Sequence, residues 1–268
     1  MKKLMKTFSK TVIAFGMIYF GCLSQTVFSQ ENFIFYPTKL AQDFQFRFNQ
    51  KFEEIYFKTK DHKNLHGLLF KADATKGLIF YLHGNGGNVN SWGDVAHVYT
   101  ELNYDVFIMD YRGCGKSEGE IASEIQFFDD VKCGYRKMNS RYEENEIIIL
   151  GCSIGTGAAA WLASNESPKK LILQSPYYSL TDLMSQLMPS MSAVLLEYKF
   201  ETYKYLLNTK VPVVLFHGKE DKIISYESSL KLKAFLKQGD QCFILDNQGH
   251  NNMIRNQMYR KCLIEILD

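Results

Sequence analysis

The chain is predicted to fold as an α/β domain, a doubly wound and mostly parallel sheet with helices on both faces. Short runs of unbroken apolar residues recur at 78–82, 106–109, 147–150, 171–173, 211–216 and 242–245. Continuous rather than alternating hydrophobicity marks strands buried on both faces, as in a parallel sheet covered by helices. Segments of helical period separate these runs, at 95–102, 125–138, 155–163, 226–236 and 253–266. Strand and helix in regular alternation imply right-handed crossovers.

The elements follow in order. Residues 33–48 are aromatic and proline-containing, and read as an ordered arm packed over the domain. Residues 52–57 and 65–70 alternate in the manner of strands around Asp61-His62-Lys63-Asn64, an antiparallel hairpin ahead of the parallel part. One interval is too long for a simple crossover. Residues 181–210 hold Met184, Met188 and Met191 with Leu195, Leu196, Tyr198 and Phe200. Part of it reads as ordinary core helix and loop, and part as a short helical cap with soft methionines lining an apolar pocket.

An apolar fraction of 46% over 268 residues supplies a large core and excludes a disordered chain. Lys2, Lys3, Lys6 and Lys10 fall in a stretch, 1–30, without a single acid. Setting those four aside leaves 27 basic against 29 acidic residues, so nothing argues for a nucleic-acid partner. The same stretch, basic and then uncharged from Thr11 to Leu23, reads as an export signal. Cleavage after Ser29 is one reading; lipidation of Cys22 and an uncleaved anchor are the others. Each places residues 30–268 outside the cytoplasm, and two of them tie it to a membrane. The six cysteines lack any ligand spacing; once Cys22 is discounted, they read as mostly buried thiols, with a single disulfide left open.

The chemistry is carried by Gly151-Cys152-Ser153-Ile154-Gly155, which follows the run 146–150 and opens a helix at Gly157-Ala158-Ala159-Ala160. A serine at such a corner adopts a strained backbone that lifts its oxygen clear of the sheet, and glycine two before and two after relieves the crowding. Serine alone is a weak nucleophile and needs a base and an orienting carboxylate. Both follow in the required order, each after its own strand: Asp221 in His217-Gly218-Lys219-Glu220-Asp221, and His250 in Asp246-Asn247-Gln248-Gly249-His250. Glu220 and Asp246 are the rival acids. His62, His66, His97 and His217 read as structural or surface residues. The loop His83-Gly84-Asn85-Gly86-Gly87-Asn88 is where a second oxyanion donor belongs, so the amides of Asn85 and Ile154 are assigned that role, with Gly86 as the alternative to Asn85.

These motifs, HGNGGN, DYRGCGKSEG (110–119), GCSIG, HGKED and the final GH, resemble the α/β-hydrolase superfamily. FYPTK (35–39) resembles its single-domain branch related to serine aminopeptidases, monoacylglycerol lipases and protein depalmitoylases. The resemblance covers residues 33–268, and Cys114 departs from it where a second aromatic is common. It implies an eight-stranded, mostly parallel sheet and cleavage of a small acyl-containing substrate without metal or cofactor. The expected activity is that of a serine hydrolase acting on an ester, thioester or amide. A lyase or perhydrolase on the same fold is the alternative, and a non-catalytic binding protein a further one.

Overall fold

The computed structural model describes residues 30–188 and 196–268. Strands β1 (Phe52–Lys58) and β2 (Asn64–Phe70) form the expected hairpin, with Phe52 opposite Phe70 and Lys58 opposite Asn64. The remaining strands are β3 (Leu78–Leu82), β4 (Asp105–Met109), β5 (Ile147–Cys152), β6 (Lys170–Gln174), β7 (Val213–Gly218) and β8 (Gln241–Leu245). Together they make one eight-stranded sheet in the order β1-β2-β4-β3-β5-β6-β7-β8. Only the β1–β2 and β2–β4 pairings are antiparallel. From β4 to β8 every pair is parallel.

Burial explains the unbroken apolar runs. All five residues of β3 and of β4 are buried, because helices cover both faces of the sheet. On β3, Leu78, Phe80 and Leu82 enter one apolar layer while Ile79 and Tyr81 enter the other. Strand β8, at the edge, has one well-buried residue, Leu245.

Helix α1 (Gln30–Phe35) opens the described chain, and its Ile34 and Phe35 belong to the first layer. The arm beyond it touches two loops, Pro37 bridging to Gly87 and Lys39 to Gly115. Helix α2 (Val89–Trp92), a single 3-10 turn (Gly93–Val95) and α3 (Ala96–Thr100) follow β3. The helical region thus starts six residues earlier than the apolar period suggested, because the Asn88 side chain accepts from the Asn90 amide and caps it there. Helix α4 (Glu124–Asn139) is capped by Ser123, and α5 (Gly155–Asn165) begins just after Ser153. Of the 181–210 interval, α6 (Leu180–Leu187) and α7 (Thr202–Asn208) have different settings. Thr202 and Leu206 of α7 are buried, with Leu206 in the core layer that includes α5, while α6 borders a cavity described below. Met191 and Leu195 lie outside the described residues.

Helix α8 (Glu227–Lys233) and helix α9 (Gln257–Leu267) complete the chain. The helix expected over 253–266 is interrupted. Asn252 takes a left-handed φ of 60°, Met253–Arg255 forms a 3-10 turn, and Asn256 caps α9 by accepting from the Tyr259 amide. Cys114, Cys133, Cys152, Cys242 and Cys262 are free thiols. The readings of residues 1–29 as signal, lipidated segment or anchor fall outside the described residues. Among the described residues, no helix is long and apolar enough to cross a membrane.

Candidate active site

Ser153 sits at the corner between β5 and α5 with φ of 51°, a left-handed backbone that a side chain rarely adopts. Its amide is held by the Gln174 carbonyl at 2.9 Å. The two flanking glycines are forced by sterics. A methyl at Gly151 would stand 2.6 Å from the Ala159 Cβ, and one at Gly155 only 2.3 Å from the Leu82 carbonyl oxygen. Helix α5 therefore starts in contact with β3 itself, and the serine is lifted to the carboxyl end of the sheet.

The strand ends of β7 and β8 bring the other two predicted residues to it. The Ser153 Oγ lies 3.0 Å from His250 Nε2, and His250 Nδ1 lies 2.7 Å from Asp221 Oδ2. Asp221 is tied further by the amides of Ile223 and Ile224, both 2.9 Å from Oδ1. Burial works against the charge of Asp221. Hydrogen bonds from His217 and then His250 outweigh it and hold the carboxyl well below the usual carboxylate range. A carboxylate at Oδ2 fixes the proton of His250 on Nδ1, which leaves Nε2 as an acceptor for the Ser153 hydroxyl.

Neither rival acid reaches the histidine. Asp246 pairs with Lys219 at 2.9 Å on the surface, and the exposed Glu220 offers its amide to the Gln248 carbonyl. His217, read from sequence as packing, does more. Its Nδ1 accepts from the Ser229 hydroxyl at 2.7 Å, while Nε2 donates to the Ile224 carbonyl at 2.8 Å and faces Asp221 Oδ2 at 3.3 Å. It clamps the acid turn from behind. His66 is wholly buried between Asp110 and Glu54 and stacks on Phe46, a structural setting.

The loop after β3 borders the same site. Among the described residues, no carbonyl accepts from the amides of Asn85 or Ile154, whereas the Gly86 amide points to the Phe35 carbonyl at 3.4 Å. The loop is set by its own first residue and by two side chains to which the sequence reading gave no role, Trp92 and Asp110. His83 is packed against Tyr111 and Trp92, and its Nδ1 donates to the Gly84 carbonyl at 2.8 Å. Burial lowers its pKa, so the ring stays neutral. Trp92 Nε1 donates to the Gly86 carbonyl, and buried Asp110 accepts from the Val89 amide at 2.7 Å. An acid directly after a wholly apolar strand was the available signal for Asp110. Trp92 offered none, since its partner is a backbone atom.

A cavity of about 410 Å³ opens on Ser153 and His250. Asn85, Ile154 and Asn251 border it, and much of its remaining wall is apolar, with Leu180, Leu183, Met184 and Leu187 from α6 and Ile223 and Ile224 from the acid turn. Next to the serine, burial pushes the thiol of Cys152 up to about 12.

A doubly wound sheet of this order, with a serine lifted on the β5 corner and an acid and a histidine on the two strand ends beyond, defines an α/β hydrolase. Residues 73–206, half of the chain, match the model of the family described as serine aminopeptidase, S33, and the chain belongs to that family. It is similar to YfhR of Escherichia coli O157:H7, at 27% identity over 229 residues and 80% of each chain. It is also similar to alpha/beta hydrolase domain-containing protein 17C of Mus musculus, at 27% over 211 residues, covering 75% of this chain and 63% of that one. Among solved structures, the esterase Pf2001 of Pyrococcus furiosus shares the fold with a TM-score of 0.70 at 18% identity, covering 86% of this chain and 96% of that one.

Proposed function

We propose that this hydrolase is a serine enzyme cleaving a carboxylic ester, thioester or amide through an acyl-enzyme on Ser153. The observation that carries the reading is the continuous hydrogen-bonded line from Ser153 Oγ through His250 to Asp221. In this mechanism His250 takes the hydroxyl proton as the Ser153 oxygen attacks the carbonyl carbon. The charge that develops on the carbonyl oxygen is met by the amides of Asn85 and Ile154, which have no partner to give up among the described residues. His250 then hands its proton to the departing group. Water repeats the two steps on the acyl-enzyme and frees the acid. Asp221 keeps its negative charge throughout and steadies the imidazolium.

A fluorophosphonate probe tests the assignment. It should label the wild-type chain at Ser153 and leave Ser153→Ala unlabelled; label retained in the variant overturns the reading. The basic and then uncharged opening of the sequence supports export and membrane association through residues 1–29. Fractionation of cells producing the full chain tests this, and recovery wholly in the cytoplasm would refute it.

A further inference from the structure

We propose that His66 is a positioning residue for the reaction: protonated on both ring nitrogens between two carboxylates, it balances the charge of buried Asp110 and so fixes the far end of the loop that carries the Asn85 amide. The inference rests on the serine-hydrolase reading above and adds to it a residue that does not border the cavity. The loop after β3 is held at both ends. The Tyr111 hydroxyl donates to the His83 carbonyl at 2.8 Å, and Asp110 Oδ1 accepts from the Val89 amide at 2.7 Å. Two adjacent residues at the end of β4 thus grip a span that has Asn85 between its ends, and the place of that amide follows from theirs.

Asp110 is wholly buried, and a charge in that setting needs a partner. Among the described residues, His66 is its only ion-pair partner, with Nδ1 at 3.3 Å from Oδ2. Gly115 closes off the same oxygen, since a methyl there would overlap it. The other nitrogen of His66 faces Glu54 Oε2 at 3.2 Å, and that oxygen also accepts from the Lys116 ammonium at 2.8 Å. Burial opposes the charge of Glu54, but hydrogen bonds from Lys116 and then Tyr56 outweigh it and hold the carboxyl below its ordinary range. Asp110, His66, Glu54 and Lys116 therefore form a row of alternating sign. Only a ring that donates from both nitrogens serves both acids, because a neutral ring turns a lone pair toward one of them.

The ring has little freedom to turn away. Phe46 stacks on it at 5.4 Å, Tyr56 packs at 4.9 Å, and Lys116 lies over Phe46. The backbones are joined as well, since the Ser117 hydroxyl accepts from the His66 amide and donates to the Asp110 carbonyl. Without the positive ring, Asp110 would be an unpaired buried carboxylate, relieved by turning from Val89 or by taking a proton from water. Either change loosens the Val89 amide and lets Asn85 shift from the developing oxyanion. Such a donor acts on the transition state, so the loss falls on kcat and not on KM.

The test is a double-variant cycle on the full chain, with kcat and KM measured on p-nitrophenyl butyrate and Ser153 labelled with a fluorophosphonate. His66→Gln keeps a hydrogen-bond donor and removes the charge. It should lower kcat about tenfold at unchanged KM, less than the loss of a whole oxyanion donor, and slow the labelling in parallel. Asp110→Asn leaves an oxygen for the Val89 amide and removes the charge that His66 balances. The double variant should therefore turn over faster than His66→Gln alone. Losses that multiply, or a change confined to KM, overturn the proposal, because a ring that only fills space on Phe46 is indifferent to the charge of Asp110. Glu54→Gln, at a part-exposed position, gives a reading that does not depend on whether His66→Gln folds. It should lower kcat about threefold at unchanged KM, and an unchanged kcat overturns the proposal. A wild-type chain that labels at Ser153 while its variants fail these comparisons refutes this inference alone. A wild-type chain that takes no label refutes the serine-hydrolase reading beneath it.

Discussion

The Tyr177 hydroxyl donates to the carbonyl of Ile154 at 3.1 Å, from a fully buried ring wedged against the first turn of α5. The fit is tight, since a methyl at Gly157 would stand 2.2 Å from that hydroxyl. Tyr177 thus holds the turn that presents the Ile154 amide to the site. Tyr177→Phe should lose about 1 kcal/mol of stability, the worth of one neutral hydrogen bond. It should lower kcat by roughly tenfold with KM little changed, less than the 10²–10³ of a deleted oxyanion donor. Urea unfolding and steady-state kinetics on one ester substrate check both; an unaltered kcat would make the contact purely structural.

The corner itself should tolerate no side chain at Gly155. A methyl there meets the carbonyl oxygens of Leu82 and His83 at 2.3 and 2.8 Å, both of them backbone and unable to rotate away. Gly155→Ala should cost about 1–3 kcal/mol by overpacking and displace Ser153. Gly239→Ala serves as a contrast: it meets nothing within 4 Å and suffers only its φ of +94°. Thermal melts of the two variants, with fluorophosphonate labelling rates, separate crowding at the site from backbone strain far from it.

The acid turn makes stability depend on pH in a stated direction. The folded-state pKa of Asp221 is lowered, because hydrogen bonds from His217 and His250 outweigh the effect of burial. Its contribution is therefore complete above the unfolded value of about 3.9 and is lost as pH falls through the lower, folded value. The stability gap between wild type and Asp221→Asn should be widest at pH 7 and shrink below about pH 4. Denaturant titrations at pH 7, 5 and 3 would show it, and a gap that widened in acid would reverse the assignment. At pH 7 the same variant should lose about 10⁴ in kcat, by the loss of the correct histidine tautomer.

Cys152 adjoins the serine and borders its cavity, yet it should take no part in the chemistry. With the thiol pushed up to about 12 by burial, almost none is ionised at pH 8. Iodoacetamide at that pH should leave Cys152 unmodified and activity intact, as read by intact mass and ester turnover. Inactivation that tracks alkylation of Cys152 would contradict the assignment.

Much of this was legible in the linear chain for a physical reason. Burial on both faces leaves an unbroken apolar run, so β3 to β7 announce themselves, and a strained serine between glycines does the same at 151–155. The edge strand β8 also showed, as the short run 242–245, although its burial proved slight. Element ends were less legible where polar side chains set them. Asn88 starts α2 early, and Asn252 with Asn256 splits the last helical stretch. The cap reading of 181–210 could not be divided by composition. Methionine and leucine look alike whether they border a cavity, as Met184 does, or pack a core, as Leu206 does.

By itself, then, the sequence determined the doubly wound sheet, the order of Ser153, Asp221 and His250, and the strand end on which each is carried. These are local properties of periodicity and turn chemistry. The tertiary structure alone decided that His217 clamps Asp221 from behind, that Tyr177 props the Ile154 turn, and that a cavity opens on Ser153 and His250. The Tyr177 and cavity contacts join residues distant in the chain through the lateral packing of strand ends, and the His217–Asp221 contact, four residues apart, depends on how the turn after β7 folds back. No spacing along a sequence encodes which side chains that packing turns toward one another.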